Sequence, residues 1–228
     1  MKKKLTILNK DAKVLLTKTK NIMKITKDIL KLNNDKLIFV NLEATGANKE
    51  DRIIQIEYII CDLTNDNCYY GKELCNPGLD INFEAMEVHN ITNEMIQDKG
   101  TFKETKFYKF LQAHNNSHNY LVVHFAPFRL SMLEKEEFKC EMNIIDTMNI
   151  SKSLFKDLSN TRLSYLWYAL GLYNYEEKIQ QELSYQENIL PNLFKLKLLF
   201  SYLNDEIKKQ EEYSFNTLEA MVSITLNN

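Results

Sequence analysis

Between residues 11 and 32, apolar side chains fall at helical spacing: Val14, Leu15, Ile22, Ile25, Ile29 and Leu32. The pattern predicts one or two amphipathic helices, broken by Asn33-Asn34-Asp35. KLIFVNLEATG (36–46) opens with a continuous apolar run, Leu37 to Val40, as expected of a strand covered on both faces. Thr45-Gly46-Ala47-Asn48 reads as a turn. RIIQIEYIICDL (52–63) reads as a second strand and NCYYGKEL (67–74) as a third, closed by Asn76-Pro77-Gly78. Residues 83–98 and 102–114 read as helices, and YLVVH (120–124) as another buried strand. Ala126-Pro127-Phe128 starts a helix, with Pro127 suited to its first turn. A short strand over 142–145 precedes helical patterns at 147–156, 162–170, roughly 188–210 and about 217–226, with Gly171 as a helix terminator. Three strands in hairpin order, then strands alternating with helices, predict a mixed α/β sheet.

The chain of 228 residues divides on this pattern into a helical extension (1–35), a main domain (36–210) and a C-terminal helical tail (211–228). Only 5 Gly and 3 Pro are present, which argues against long flexible linkers. No apolar run is long enough to span a bilayer, and lysines interrupt the basic start before a signal-peptide core can form, so a cytoplasmic protein without a membrane partner is expected. The cysteines, Cys61, Cys68, Cys75 and Cys140, form no CxxC pair; free thiols in a reduced compartment are the expectation. Charge is uneven. Residues 1–36 hold 11 Lys and 3 Asp, net +8, which leaves −10 on the remainder of a chain whose total is −2. Such a basic arm suits an acidic partner or nucleic acid, or is a solvated amphipathic helix.

Five segments occur in an order that carries chemistry: FVNLEATG (39–46), EAMEVHNITNEM (84–95) after NPG, LVVHFAPFRLSML (121–133), IIDTMNISKSLF (144–155) and RLSYLWYALGL (162–172). Together they resemble the DnaQ-type 3′–5′ proofreading exonucleases, the epsilon-subunit-like family. The resemblance implies a ribonuclease H-like mixed sheet flanked by helices. It also implies hydrolysis by two divalent ions about 4 Å apart, held by carboxylates, with a histidine as general base.

Measured against that family, the chain keeps one expected group and lacks four. Glu43 is retained. Asn41 stands where the resemblance implies the first Asp, and Arg129 where it implies an Asp in the third segment, with Phe125 in place of the preceding Asn. Gln181 and Gln186 stand where His and a last Asp are implied; a shift of one residue would put Gln180 and Tyr185 there. Residues 41 and 43 should point the same way from one strand. Arg129 places a permanent cation where a carboxylate would face metal, and in the first turn of a helix the macrodipole disfavours it. Arg129 is therefore expected to pair with Glu43. No cofactor is expected; Mg²⁺ or Mn²⁺ enters only if the centre is altered rather than lost. The resemblance also implies that Thr45 and Gly46 could meet a nucleotide through their backbone.

Other residues are expected to be structural. His89 and His124 fall in family segments without being the implied base, and His114 and His118 bracket the polar loop Asn-Asn-Ser and are expected at the surface. Glu57, Asp62 and Asp146 near strand ends could relocate a metal site around Glu43. Tyr69, Tyr70, Tyr165, Trp167 and Tyr168 read as core or half-buried. Leu190-Pro191-Asn192-Leu193-Phe194 looks like a clamp-docking peptide but lies within a helix pattern. Three functions follow. The first is an inactive exonuclease-family domain that binds single-stranded DNA or RNA, a polymerase or another replication or repair protein. The second is an active nuclease with an altered metal site, and the third is a protein-interaction module without a nucleic-acid role.

Overall fold

The computed structural model describes residues 35–63, 68–175, 190–210 and 217–227, together with the backbone of Ile22–Lys24. Gln180, Gln181, Tyr185 and Gln186 lie outside the described residues.

Among the described residues, six strands form one sheet in the order β1-β4-β3-β2-β5-β6. They are β1 (Ile22–Lys24), β2 (Lys36–Ala44), β3 (Ile53–Asp62), β4 (Cys68–Leu74), β5 (Tyr120–Val123) and β6 (Asn143–Asp146). β2, β3 and β4 form the antiparallel meander, and β5 and β6 add in parallel beside β2. Central position explains the unbroken apolar runs: every residue of β3 is buried. β1 departs from the sequence expectation. Ile22, Met23 and Lys24 are not helical but pair in parallel with Cys68, Tyr69 and Tyr70, so that they cover the free edge of β4. The rest of the predicted N-terminal helices lies outside the described residues.

The pleat separates two cores. Ile38, Val40 and Leu42 of β2 join Tyr58, Phe107, Phe110 and Leu133 on one face. There the helices are α3 (Lys106–His114) and α4 (Ala126–Lys135). Leu37 and Phe39 join Ile150, Trp167, Leu199, Phe200 and Met221 on the other. That face is covered by α5 (Thr147–Leu154), α6 (Leu163–Ala169), α7 (Pro191–Lys208) and α8 (Thr217–Leu226). Leu190 and Leu193 are buried in this second core, which settles the clamp-like peptide as packing. Among the described residues no helix is long and apolar enough to cross a membrane.

The helix predicted over 83–98 divides into α1 (Phe83–His89) and α2 (Asn93–Ile96). Asn90 between them takes a left-handed backbone, φ 57°, which stops α1. The helix predicted from 102 begins as a 3₁₀ turn, Phe102–Glu104, before Thr105 caps α3 through the amide of Tyr108. His114 corrects the surface expectation. It is buried, stacks on Phe110 at 4.3 Å between centroids, and its Nδ1 lies 3.0 Å from the Phe110 carbonyl. The cysteines correct the expectation of four free thiols. Cys68 is the direct register partner of Cys61 across β3 and β4, and the two sulfurs are bonded. Strand pairing, invisible in cysteine spacing, sets these two side by side, while Cys75 and Cys140 stay free.

Phe125, between β5 and α4, holds φ 69° and ψ 72°. A left-handed backbone costs a non-glycine residue about 1–2 kcal/mol, and asparagine bears it more readily. The turn therefore keeps a geometry suited to asparagine while carrying a half-exposed phenylalanine. Phe125→Asn is expected to raise unfolding free energy by about 1 kcal/mol, read by urea denaturation. Equal or lower stability would show that the phenylalanine ring compensates.

Candidate functional site

Asn41 and Glu43 leave β2 on the same face as Leu37 and Phe39, and a register irregularity between Glu43 and Ala44 ends the regular ladder there. Antiparallel pairing sets Glu57 of β3 directly opposite Asn41, and Lys72 of β4 opposite Glu57. The three side chains form a row across the sheet. α4 brings Arg129 to its end.

Arg129 does not pair directly with Glu43 as expected. Its Nη2 donates to Asn41 Oδ1 at 2.9 Å. Asn41 Nδ2 in turn donates to Glu43 Oε1 at 3.1 Å and to Glu57 Oε2 at 3.3 Å. The reason is the chemistry of the amide. It offers an acceptor on one side and two N–H donors on the other, so it can sit between a cation and two carboxylates. The reverse amide orientation would set donor against guanidinium and oxygen against both acids, so the network fixes it. An aspartate at this position would instead add a third negative charge beside Glu43 and Glu57.

Glu57 Oε1 takes Lys72 Nζ at 3.3 Å and Gln55 Nε2 at 3.3 Å. Burial raises the Glu57 carboxyl above its ordinary range, against Lys72 and Asn41, which pull it down. Burial likewise works against the charge of Arg129, while Glu43 and then Asp146 favour it. The Arg129 guanidinium lies 5.0 Å from the centre of the Phe128 ring, and its buried Nε has no hydrogen-bond partner. Over this row, two carboxylates and two cations sum to zero. Among the described residues, no three His, Cys, Asp or Glu side chains converge as a metal-binding group.

Asp146 holds the frame of the site rather than facing its centre. It is fully buried. Its Oδ1 accepts from the amides of Phe125 at 3.0 Å and Met148 at 2.9 Å, and its Oδ2 from that of Ala126 at 2.8 Å. One carboxylate thus serves the N-termini of both α4 and α5, where the helix dipoles favour negative charge. Asp62 lies at the opposite end of β3, opposite Lys36, away from Glu43.

His124 stands behind this frame. Nε2 lies 2.8 Å from the Thr161 carbonyl and Nδ1 2.9 Å from Thr147 Oγ1. Facing a carbonyl, Nε2 carries the proton of the neutral ring, and Nδ1 faces a Thr147 hydroxyl that also lies 3.0 Å from the Val123 carbonyl. Burial pushes the imidazolium pKa down to about 4. Below about pH 6.5 the unfolded chain binds a proton that the folded chain refuses, so stability falls with pH. Between about pH 7 and pH 4 this residue is expected to cost about 3 kcal/mol. Urea titrations of wild type and His124→Gln test it: the variant should lose much of that slope, and parallel curves would refute the assignment. His89 is also structural: Nδ1 accepts from the Ile91 amide at 3.0 Å and Nε2 lies 3.2 Å from the Ala44 carbonyl.

A cleft of about 620 Å³ opens beside Glu43, lined by Gly46, Asn82, Val88, His89 and Phe128 among others. Thr45 is buried, its amide bonded to the Arg52 carbonyl, its carbonyl to the Asn82 amide and its hydroxyl to Asp51 at 2.7 Å. Gly46, not Thr45, lines the cleft. A Cβ there would meet Asn82 Nδ2 at 2.2 Å and Asp51 Oδ2 at 2.6 Å.

From the sequence, Glu57 reads as one of three acids that could relocate a metal site around Glu43; its hydrogen bond with Asn41 and its ion pair with Lys72 are not legible there. A charged residue within the Ile-rich strand IIQIEYIICD was the available signal. Of the aromatic residues, Trp167 is buried and Tyr69, Tyr70 and Tyr165 are half-buried, whereas Tyr168 is exposed.

A mixed sheet with a meander at one side, parallel strands at the other and helices on both faces is the ribonuclease H-like architecture. The sequence model of the RNase_T exonuclease family matches residues 38–177, and the chain belongs to that family. DNA polymerase III subunit epsilon of Buchnera aphidicola subsp. Acyrthosiphon pisum is 32% identical over 143 residues, 55% of this chain and 58% of that protein. The Rickettsia prowazekii epsilon subunit is 31% identical over 134 residues, 52% of this chain and 55% of its own length. The chain thus spans little more than half the length of these curated relatives. Among solved structures, exonuclease X in complex with 5′-overhanging duplex DNA superposes with a TM-score of 0.58 at 18% identity, covering 83% of this chain and 99% of that one. Escherichia coli exonuclease I with an oligonucleotide gives 0.56 at 12%, covering 82% and 43%. The likeness to both establishes the ribonuclease H-like fold.

Proposed function

We propose that this chain is an exonuclease-family domain that has lost metal-dependent hydrolysis and serves as a binding module for nucleic acid in replication or repair. The observation that carries the reading is the Arg129–Asn41 hydrogen bond. It commits the one oxygen that Asn41 could offer a metal, and it seats a cation beside Glu43. Two divalent ions would bring a charge of +4 into a row of residues whose own charges cancel. The residues present do not fit them, because hard cations need several anionic oxygens. The polymerase III epsilon relatives and the DNA-bound fold neighbours support a nucleic-acid or polymerase context. The cleft beside Glu43 and Gly46 supplies room for a strand end.

The test is a nuclease assay on labelled single-stranded DNA and RNA with Mg²⁺ and Mn²⁺, beside an anisotropy titration at several salt concentrations. Salt-dependent binding without cleavage is the expected result. 3′ degradation that disappears in Glu43→Ala would overturn it. Absence of any salt-dependent binding would move the function to a protein partner. One observation favours the altered-centre alternative: Glu57 lies close enough to Glu43 for both to share the Asn41 amide. If Glu57 replaced the lost aspartate, Glu57→Gln would abolish cleavage together with Glu43→Ala. Lys72 bound to Glu57 opposes that reading.

A further inference from the structure

Neither the polar row nor the cleft accounts for one apolar surface. Among the described residues nine large apolar side chains are exposed, and four of them, Leu79, Phe83, Val88 and Met95, stand on the segment that carries α1 and α2. Phe83 is 83% exposed and Val88 78%. α1 buries none of its own residues. Apolar side chains scattered singly over a surface need no explanation, whereas a cluster on one short segment marks a place that a partner covers.

Loose attachment is not the cause of this exposure. Ile81, Ile91 and Ile96 are buried with Ile54 and anchor the segment to the end of the sheet. Asn93 Oδ1 accepts from the Ile81 amide at 2.9 Å, and Asn82 Oδ1 from the Ala85 amide at 2.8 Å. The His89 ring joins the Ile91 amide to the Ala44 carbonyl. α1 is thus held in place while Phe83 and Val88 stay in water. A surface fixed before binding has little freedom left to lose on docking.

Charge indicates what covers it. Five acids, Asp80, Glu84, Glu87, Glu94 and Asp98, lie between Leu79 and Asp98, with no lysine or arginine among them. All five are exposed, and no described lysine or arginine forms an ion pair with any of them. On α1 the two kinds of residue alternate by one helical turn, Phe83 with Glu87 and Glu84 with Val88. Such a surface repels the phosphates of a nucleic-acid strand or of lipid headgroups. It complements a helix on which lysine or arginine stands between leucine-like side chains.

We propose that α1 and α2 form a docking surface for a cationic amphipathic helix of a partner protein, with Phe83 as its aromatic anchor. The partner's apolar side chains cover Phe83, Val88 and Met95, and its cations meet the acids around them. This surface adds a protein partner to the nucleic-acid role proposed above and does not depend on it.

The experiment titrates a fluorescein-labelled peptide of leucine and lysine, patterned as an amphipathic helix, with the full chain and follows anisotropy at several salt concentrations. The same peptide with glutamate for lysine runs beside it. The lysine peptide should bind, more weakly as salt rises, and the glutamate peptide should not. Phe83→Ala should weaken the binding about tenfold, the loss of one aromatic anchor. Glu87→Gln with Glu94→Gln should weaken it and flatten its salt dependence. None of these side chains lines the cleft, so binding of single-stranded DNA or RNA should be unchanged in both variants. All three positions are exposed, and urea unfolding checks that the fold is intact. Absence of lysine-peptide binding overturns the proposal, as does equal binding of the two peptides. So does peptide binding that survives both variants, which would place the peptide elsewhere on the acidic body. Variants that weaken the oligonucleotide and spare the peptide would assign the surface to nucleic acid instead.

Discussion

Mn²⁺ is expected to bind tightly to a chain in which Asn41 and Arg129 are both replaced by aspartate, and to show no saturable binding to the wild-type pocket. The arithmetic is local. Glu43, Glu57, Lys72 and Arg129 now sum to zero. The double substitution removes one positive charge and adds two negative ones, for a sum of −3. A unit charge about 4 Å from a cation is worth about 4 kcal/mol at an effective dielectric of about 20, and a divalent ion doubles that. After desolvation the gain in affinity should still be on the order of a thousandfold or more. Titration calorimetry with Mn²⁺ and Mg²⁺ reads it directly. A second signature accompanies binding. Without metal, the carboxylate introduced by Asn41→Asp would face Glu43 and Glu57, so the variant should be less stable than wild type and Mn²⁺ should restore it. Adding Gln181→His and Gln186→Asp should strengthen binding further if those positions complete the centre. No Mn²⁺ heat from either variant would sink the assignment of residues 41 and 129 to the metal seat.

Asp146→Ala is expected to destabilise the fold by about 3–5 kcal/mol, the largest effect foreseen for a single residue. Three amides, those of Phe125, Ala126 and Met148, point at this buried carboxylate. Each donor left without a partner costs about 1–3 kcal/mol when buried. Two helix N-termini also lose the negative charge that suits them. Partial relaxation and entry of water keep the total below the full sum. Asp146→Asn should cost less, because one side-chain oxygen survives to accept. Urea denaturation of the three proteins orders them wild type, Asn, Ala. An Asp146→Ala chain within about 1 kcal/mol of wild type would show that the two helices do not depend on this cap. The loss should be independent of added Mn²⁺, which separates it from the metal-seat experiment.

Much of the fold was legible because its signals are local. Leu37 to Val40 announced a two-sided strand, Pro127 a helix start and Gly171 a helix end; the structure places each as expected. The helix expected around 217–226 is Thr217–Leu226, packed with Met221 in the second core. The departures arose where distant chain segments meet. Ile22–Lys24 became an edge strand because β4 offered an open ladder. His114 went inside because Phe110, one helical turn away, gave it a stacking partner in a packed core.

The candidate site divides the same way. Sequence alone determined the family, through five ordered segments, and it offered Asn41 and Arg129 as candidates for positions where the resemblance implies acids. Asparagine, arginine and glutamine are identities, and identities are read without coordinates. Tertiary structure decided what those residues do to one another. Arg129 and Asn41 are 88 positions apart and meet only when α4 closes against the end of β2. Whether Arg129 would bond to Glu43 or to the amide before it turned on ångström differences in reach. Asn41 meets Glu57, and Cys61 meets Cys68, through strand register, a long-range property that composition and spacing leave open. Local chemistry therefore named the candidate groups; packing and register supplied their partners, because charge and hydrogen bonding act across space rather than along the chain.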